Sequence, residues 1–493
     1  MKFIYHKRFM SGYAFAVNVI IISCVYSCLM LFCSHRFPEK AFTGNPVYIG
    51  SRLELFVDST IIASVNGVEL RLQSPVKKSL PESPLLGNYM TVIMDGDFFR
   101  AYYRSVDTSY TGPVSGDGNP GEITCYAESK DGHEWTFPNL GLFKVNGTKE
   151  NNVILAGQPP FSHNFSPFLD MRPGICENER FKALAGSRAE VHERATGQPG
   201  GGLYAFVSAD GIHWHKKFNV PVIPYMKTSP AGETRFDSQN VAFWSEAEQL
   251  YVCYFRTLDT PYGRLRTISR TTSPDFLNWS EPVAMEPNLP GEHLYTSQIS
   301  PYFRAPHIYI ALPTRFLPGR GNSTDILLMT SRAGSDTFDR LFTEAFIRPG
   351  LDPSQWGNRS NFVALNVVPA GPAEMSIYHR NGHRYVMRTD GFVSARAGAT
   401  EGELITRPLI FSGKELLINY STSAGGRIQV EILEVSGLPV SGFHLEDCIE
   451  ITGDEIEREV RWMGDPDLEE LAGKPVRLRF VMKECDLYSF RFR

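Results

Sequence analysis

Ser129-Lys130-Asp131-Gly132-His133-Glu134-Trp135 decides the fold, because it returns as Ser208-Ala209-Asp210-Gly211-Ile212-His213-Trp214 and as Ser273-Pro274-Asp275-Phe276-Leu277-Asn278-Trp279. A weaker fourth copy is Ser331-Arg332-Ala333-Gly334-Ser335-Asp336-Thr337-Phe338. Ser and Asp in each copy can bond local backbone amides, Gly supplies a positive φ, and the aromatic residue can pack between neighbouring sheets. Each copy therefore reads as a tight hairpin. The copies begin 79, 65 and 58 residues apart, which is the size of one four-stranded sheet with generous loops.

Around these turns, residues 50–400 alternate Gly, Pro, Asn and Asp clusters with short β-rich runs such as Phe98-Phe99-Arg100-Ala101-Tyr102-Tyr103, Leu250-Tyr251-Val252-Cys253-Tyr254-Phe255 and Ile308-Tyr309-Ile310-Ala311-Leu312. No long stretch holds a helical apolar period, so the region is predicted to be mainly β. Some 350 residues at about 70 per sheet predict a five-bladed β-propeller over residues 45–395. The competing reading is an irregular β-sandwich with coincidental turns. From Gly402 the pattern changes to longer alternating runs, among them Ile428-Gln429-Val430-Glu431-Ile432-Leu433 and Val476-Arg477-Leu478-Arg479-Phe480-Val481. These predict a C-terminal β-sandwich over residues 396–493, with acidic residues 446–470 as a solvated edge or loop. The expected class is all-β throughout.

The composition excludes other classes. The chain of 493 residues is 42% hydrophobic and 21% charged, enough for two or three domains with real cores. Outside the first forty residues, 44 Lys/Arg face 53 Asp/Glu. A body of that sign lacks the positive field that nucleic-acid binding needs. Residues 1–44 read as an address. Lys2, Lys7 and Arg8 precede an uncharged run from Phe9 to Ser34, which suits a cleaved signal peptide or an uncleaved membrane anchor. Ile21-Ile22-Ser23-Cys24 also loosely fits lipoprotein processing. Each version puts the body outside the cytoplasm, either secreted, periplasmic or attached to the membrane through this segment. The five body cysteines have no Cys-x-x-Cys spacing, so no zinc or redox site is expected. Cys448 and Cys485 read either as a pair or as buried free thiols. Nothing calls for a cofactor or a metal, and oligomeric state is not legible.

Several ordered phrases carry a resemblance: Leu55-Phe56-Val57-Asp58, Asn151-Asn152-Val153-Ile154-Leu155, Pro167-Phe168-Leu169-Asp170, Phe236-Asp237-Ser238-Gln239-Asn240, Glu374-Met375-Ser376-Ile377-Tyr378 and Asp390-Gly391-Phe392-Val393-Ser394. With the turn repeats they resemble the five-bladed β-propeller glycosidases, which include invertase-like fructosidases and arabinan- or xylan-trimming enzymes. The chain looks closest to a bacterial branch of secreted fructosidase-like proteins. The resemblance implies hydrolysis of an oligo- or polysaccharide by carboxylates around a central funnel. Asp170 before Arg172-Pro173 resembles the second-blade acid that stabilises the transition state. Asp237 stands where the general acid is usually Glu, and Glu374 is the alternative proton donor. The first-blade acid is missing from Leu85-Leu86-Gly87-Asn88-Tyr89-Met90, which leaves Asp58 as a recruit.

Substrate contacts are expected from Arg104, His163, Asn164, Arg172, Gln239, His293, Tyr295, Arg304 and Arg315. Arginines at strand ends can grip a carboxylate or sulfate, so an acidic or sulfated sugar is compatible. A binding-only propeller, a sialidase-like site and a polysaccharide lyase remain open. The Ser-x-Asp turns are expected on the outer rim, away from the funnel.

Overall fold

The repeated turns form as their residues dictate. In the first, the Ser129 hydroxyl lies 3.0 Å from Asp131 Oδ1 and accepts from the Gly132 amide at 2.9 Å, while Asp131 accepts from the His133 amide at 2.8 Å. Ser208, Asp210 and Gly211 repeat the pattern. In the third copy Phe276 occupies the glycine position at φ 66°, a region bulky residues rarely enter. Its ring packs 5.6 Å from Phe168 and 5.2 Å from Tyr251, and this burial offsets the backbone strain.

The computed structural model describes residues 45–113, 116–357 and 360–493. Residues 1–44, with the signal, anchor and lipoprotein readings, lie outside them. The fold is all-β, 46% strand and 6% helical, and Ala189–Thr196 is the one α-helix among the described residues.

Antiparallel sheets follow one another along the chain. The first joins Asn88–Asp95, Phe98–Val106, Glu122–Ser129 and Val153–Leu155. Ser166–Leu169, Phe181–Ser187, Gly202–Ser208 and His215–Lys216 follow, and then Val241–Ser245, Leu250–Thr260, Gly263–Ser273 and Val283–Ala284. Next comes a pair of three-stranded sheets, one of Ile299–Tyr302, Ala305–Ala311 and Met329–Arg332, the other of His293–Leu294, Thr314–Leu317 and Ser323–Ile326. Val368–Pro369, Glu374–Tyr378, Arg384–Arg388 and Val76–Lys77 form the last.

Cores lie between consecutive sheets. Tyr102 and Tyr126 of the first pack with Ala183 and Phe206 of the second, and Phe168 with Tyr251 and Phe255 of the third. Tyr254 packs with Ile299 and Tyr309, and Ile308 and Ile310 with Met375 and Ile377. Ala364, Val368 and Tyr378 of the last sheet pack with Val92, Ala101 and Trp135 of the first. The turn aromatics contribute to these seams, since Trp135 meets Tyr378 at 5.6 Å and Trp214 meets Tyr102 at 6.3 Å.

A ten-stranded sheet takes strands from both ends of the described chain. Val393–Ala397, Gly402–Thr406, Leu409–Phe411, Leu416–Glu434, Asp454–Glu459 and Pro475–Phe492 are joined there by Val47–Gly50, Glu54–Leu55, Ile62–Asn66 and Val68–Leu72. The sequence boundary at 395/396 thus cuts through a strand, and residues 47–72 side with the C-terminal sheet. Ile49, Ile62 and Val68 are buried with Leu404, Val430 and Phe480, a pairing across more than 300 residues that local periodicity does not encode. Cys448 and Cys485 are separate buried thiols, as are Cys125 and Cys253.

Candidate functional site

Five chain segments, within 88–95, 164–169, 236–245, 296–302 and 362–369, are cross-linked side by side. The Val92 amide donates to Leu365 O at 3.1 Å. Gln239 Nε2 donates to Met90 O at 3.0 Å, and Gln298 Nε2 to Gln239 Oε1 at 2.7 Å and Val363 O at 2.9 Å. Asn164 Nδ2 bonds Gly186 O and Phe236 O. These buried amides floor a mouth at the N-terminal ends of the segments.

Two bulky residues there hold left-handed backbone, Tyr89 at φ 48° and Phe236 at φ 50°. Such conformations cost about 1–3 kcal/mol each and persist where surrounding structure fixes them. They turn the Tyr89 ring and the following Asp237 into the mouth. Tyr89 meets Phe362 at 6.1 Å and His163 at 5.7 Å, and Tyr295 meets Phe362 at 5.3 Å. Burial, with Tyr295 beside it, pushes the Tyr89 phenol well up, so it stays protonated.

The charged groups surround these rings. Asp237 accepts from Arg256 Nη1 at 2.8 Å, and Arg188 lies 4.0 Å away. Burial alone would raise the Asp237 carboxyl, but the guanidinium groups of Arg256, Arg235 and Arg266 together outweigh it and hold the group below its ordinary value. Opposite, His163 Nδ1 lies 2.9 Å from Glu122 and 2.8 Å from Arg104 Nη1, and its Nε2 is 3.8 Å from Asp117. Asp117, Gly118, His163, Ser187, Arg188 and Asp237 line one small pocket. A histidine flanked by carboxylates thus shares a cleft with an ionised aspartate.

The expected site residues separate into groups. Arg104, His163, Asp237 and Tyr295 come together at the mouth. His293 joins them through Arg266, whose amide donates to its Nδ1 at 3.0 Å, and burial with the nearby Arg266 and Arg256 lowers its pKa. Asn164 and Gln239 form the buried floor, with no surface for a sugar.

Asp170 is placed elsewhere. It lies six residues beyond Asn164 on an extended strand, about 20 Å from the mouth at ~3.3 Å per residue. There it binds Lys182 at 2.8 Å and the Tyr251 hydroxyl at 2.6 Å, with Arg172 over Tyr251 at 5.4 Å. Glu374 is exposed and begins a strand whose other end, Tyr378, leads to Arg380 at the mouth. Asp58 is locked to Arg332 at 2.7 Å, and Arg332 also binds Glu54. Arg304 ties Asp390 to Glu457, and Arg315 binds Asp325 and Glu292. The Ser-x-Asp turns follow the end of the third strands, opposite Glu122 at the start of Glu122–Ser129, and hence away from the mouth.

Sequence reasoning missed Tyr89, Glu122, Arg188, Arg256, Phe362 and Arg380. A signal existed: Tyr102-Tyr103-Arg104, Tyr254-Phe255-Arg256 and Tyr378-His379-Arg380 each set an arginine after two ring residues at the end of a sheet's second strand.

No protein-family model matches the chain, and no curated protein matches it. Similar solved structures include glycoside hydrolases of the GH43 and GH32 types. One is titled a glycoside hydrolase, at 13% identity and a TM-score of 0.43 over 64% of this chain and 91% of that one. A family 43 arabinoxylan arabinofuranohydrolase from Bacillus subtilis, in complex with cellotetraose, has 13% identity and a TM-score of 0.38 over 83% of this chain and 95% of its own. The Bombyx mori GH32 beta-fructofuranosidase has 11% identity and a TM-score of 0.39, covering 85% and 94%.

Proposed function

We propose that the chain is an extracytoplasmic glycoside hydrolase, a five-bladed β-propeller with an appended β-sandwich, acting on an oligo- or polysaccharide at the mouth formed by Tyr89, His163 and Asp237. The seams between consecutive sheets, including that between the last and the first, support the propeller reading. The alternating burial of Leu416–Glu434 and Pro475–Phe492 supports the sandwich. The basic start and uncharged run of residues 1–34 support export.

One observation carries the chemistry: an ionised Asp237 shares a cleft with a histidine held between two carboxylates. Glycoside cleavage needs a negative charge beside the anomeric carbon and a proton for the leaving oxygen. Asp237, kept anionic by Arg256, suits the first role rather than the proton donation its sequence position implied. His163, held by Glu122, is the group placed for the second. As the bond between anomeric carbon and leaving oxygen breaks, His163 gives its proton to that oxygen. Water then adds to the carbon and passes its own proton to a mouth carboxylate.

A second reading, glycan binding without turnover, is favoured by the arginine partners that Asp237 and Glu122 already have. The test is incubation of the full-length protein with neutral, acidic and sulfated oligosaccharides, with products resolved by mass spectrometry. Products heavier by one water support hydrolysis. Intact glycans that nonetheless bind establish the second reading, and an unsaturated product contradicts hydrolysis in favour of elimination.

A further inference from the structure

Each of the five successive sheet groups carries an arginine within or following its second strand, the fourth of them on the next strand along. These are Arg104 within Phe98–Val106, Arg188 after Phe181–Ser187, Arg256 within Leu250–Thr260, Arg315 beyond Ala305–Ala311 and Arg380 after Glu374–Tyr378. Four of them have carboxylate partners: Arg104 with Glu122, Arg188 with Glu190 and Asp237, Arg256 with Asp237, and Arg315 with Asp325 and Glu292. Arg380 makes no ion pair among the described residues. Its guanidinium lies 5.6 Å from the centre of the Phe362 ring, and that of Arg104 lies 4.7 Å from the centre of the adjoining Tyr89 ring.

A half-buried cation without a counter-ion, next to a second cation, is electrostatically unsatisfied. Burial and the nearby Arg104 both disfavour its charge. An anion bridging the two guanidinium groups relieves both effects, and the planar fork of arginine matches carboxylate or sulfate oxygens.

We infer that Arg380 and Arg104 form an anion clamp at the mouth, selecting sugars that carry a carboxylate or a sulfate ester. This rests on the reading of the mouth as a carbohydrate site. Arg304 and Arg315, the sequence candidates for such a role, are committed to structural carboxylates.

The experiment is calorimetric titration of the full-length protein with methyl glucuronide, glucose 6-sulfate, methyl glucoside and inorganic sulfate, needing no turnover. At least one anionic sugar binds about tenfold or more tightly than methyl glucoside, as charge-assisted hydrogen bonds imply, and added salt narrows the gap. The glucuronide and sulfate-ester arms show which anion the clamp prefers. Arg380→Gln, which keeps the stem, and Arg380→Ala abolish the preference, the anionic sugars then binding no more tightly than methyl glucoside does to the same variant. Arg380→Lys keeps part of it. Equal affinity for glucoside, glucuronide and sulfated glucose overturns the clamp and leaves the carbohydrate site standing, as does a preference that survives in both Arg380→Gln and Arg380→Ala. Arg380-dependent binding of inorganic sulfate with no sugar binding supports the clamp and contradicts the carbohydrate site. Binding of none of the four probes overturns the clamp.

Discussion

Lys182→Met tests the assignment of Asp170 to the framework. Asp170 is 3% exposed and Lys182 2%, and their charges meet at 2.8 Å. The remaining bonds of the aspartate run to the Tyr251 hydroxyl and the Arg172 amide. Removing the ammonium leaves a carboxylate buried with two neutral donors, and breaking a buried pair costs about 3–5 kcal/mol. Unfolding entropy of about 2.1 cal/mol/K per residue over roughly 450 residues is about 1 kcal/mol per degree, so the melting midpoint falls by about 3–5 °C. Asp170→Asn keeps an acceptor for both donors but leaves Lys182 with Glu179 at 3.8 Å as its nearest acid, and it destabilises comparably. The double variant Asp170→Asn/Lys182→Met costs about 2 kcal/mol less than the sum of the two single losses. Calorimetric melting reads all three, and glycan binding by each folded variant stays within about twofold of the parent, because the pair lies about 20 Å from the mouth. Asp170→Asn that melts with the parent yet loses turnover would refute this reasoning and restore Asp170 to the catalytic machinery.

Further expectations follow from the mouth and its supports. Arg256→Met removes the strongest of the three guanidinium groups that hold the Asp237 pKa down, so the pKa rises although Arg235 and Arg266 remain. The acid limb of the pH–activity profile then moves to higher pH, and an unmoved limb contradicts the pairing. Burial pushes the His379 pKa down to about 4 from an ordinary 6.5. The unfolded chain therefore binds the extra proton first as pH falls, and His379 withdraws stability between about pH 6.5 and 4, by about 3 kcal/mol in total. Urea titrations of His379→Gln show a shallower stability loss across that window, and parallel curves refute it. Gln298→Leu breaks the bonds to Gln239 and Val363 and costs about 1–3 kcal/mol, read from the urea midpoint. No change there means that these amides do not tie the segments together.

The all-β class was legible because the Ser-x-Asp turns carry their own hydrogen-bond logic, confined to a few residues. The position of Asp237 just ahead of a strand was legible for the same reason, since a short polar run precedes the apolar Val241-Ala242-Phe243. The other acids were not, because an aspartate at the start and one at the end of an inner strand look alike in sequence. Asp170 and Asp237 flank similar strands, yet one follows its strand and the other precedes it, so they face opposite ends. Asp58 and Glu374 fail for a related reason: whether a carboxylate meets Arg332 or open solvent is set by packing between distant segments. Glu122 was hidden because its partner His163 lies in the short turn 161–163 ahead of the next sheet, and the arginine after each ring pair went unread because its meaning appears only when the sheets lie side by side.

The most direct measurement is turnover of the best-cleaved glycan by Asp237→Asn, Glu122→Gln, Asp170→Asn and Glu374→Gln, compared side by side at matched folded fraction. The account predicts a loss of about a hundredfold or more in kcat/KM for the first two and near-parental rates for the last two. Near-parental rates in Asp237→Asn with loss in Asp170→Asn or Glu374→Gln would place the chemistry away from this mouth and contradict it.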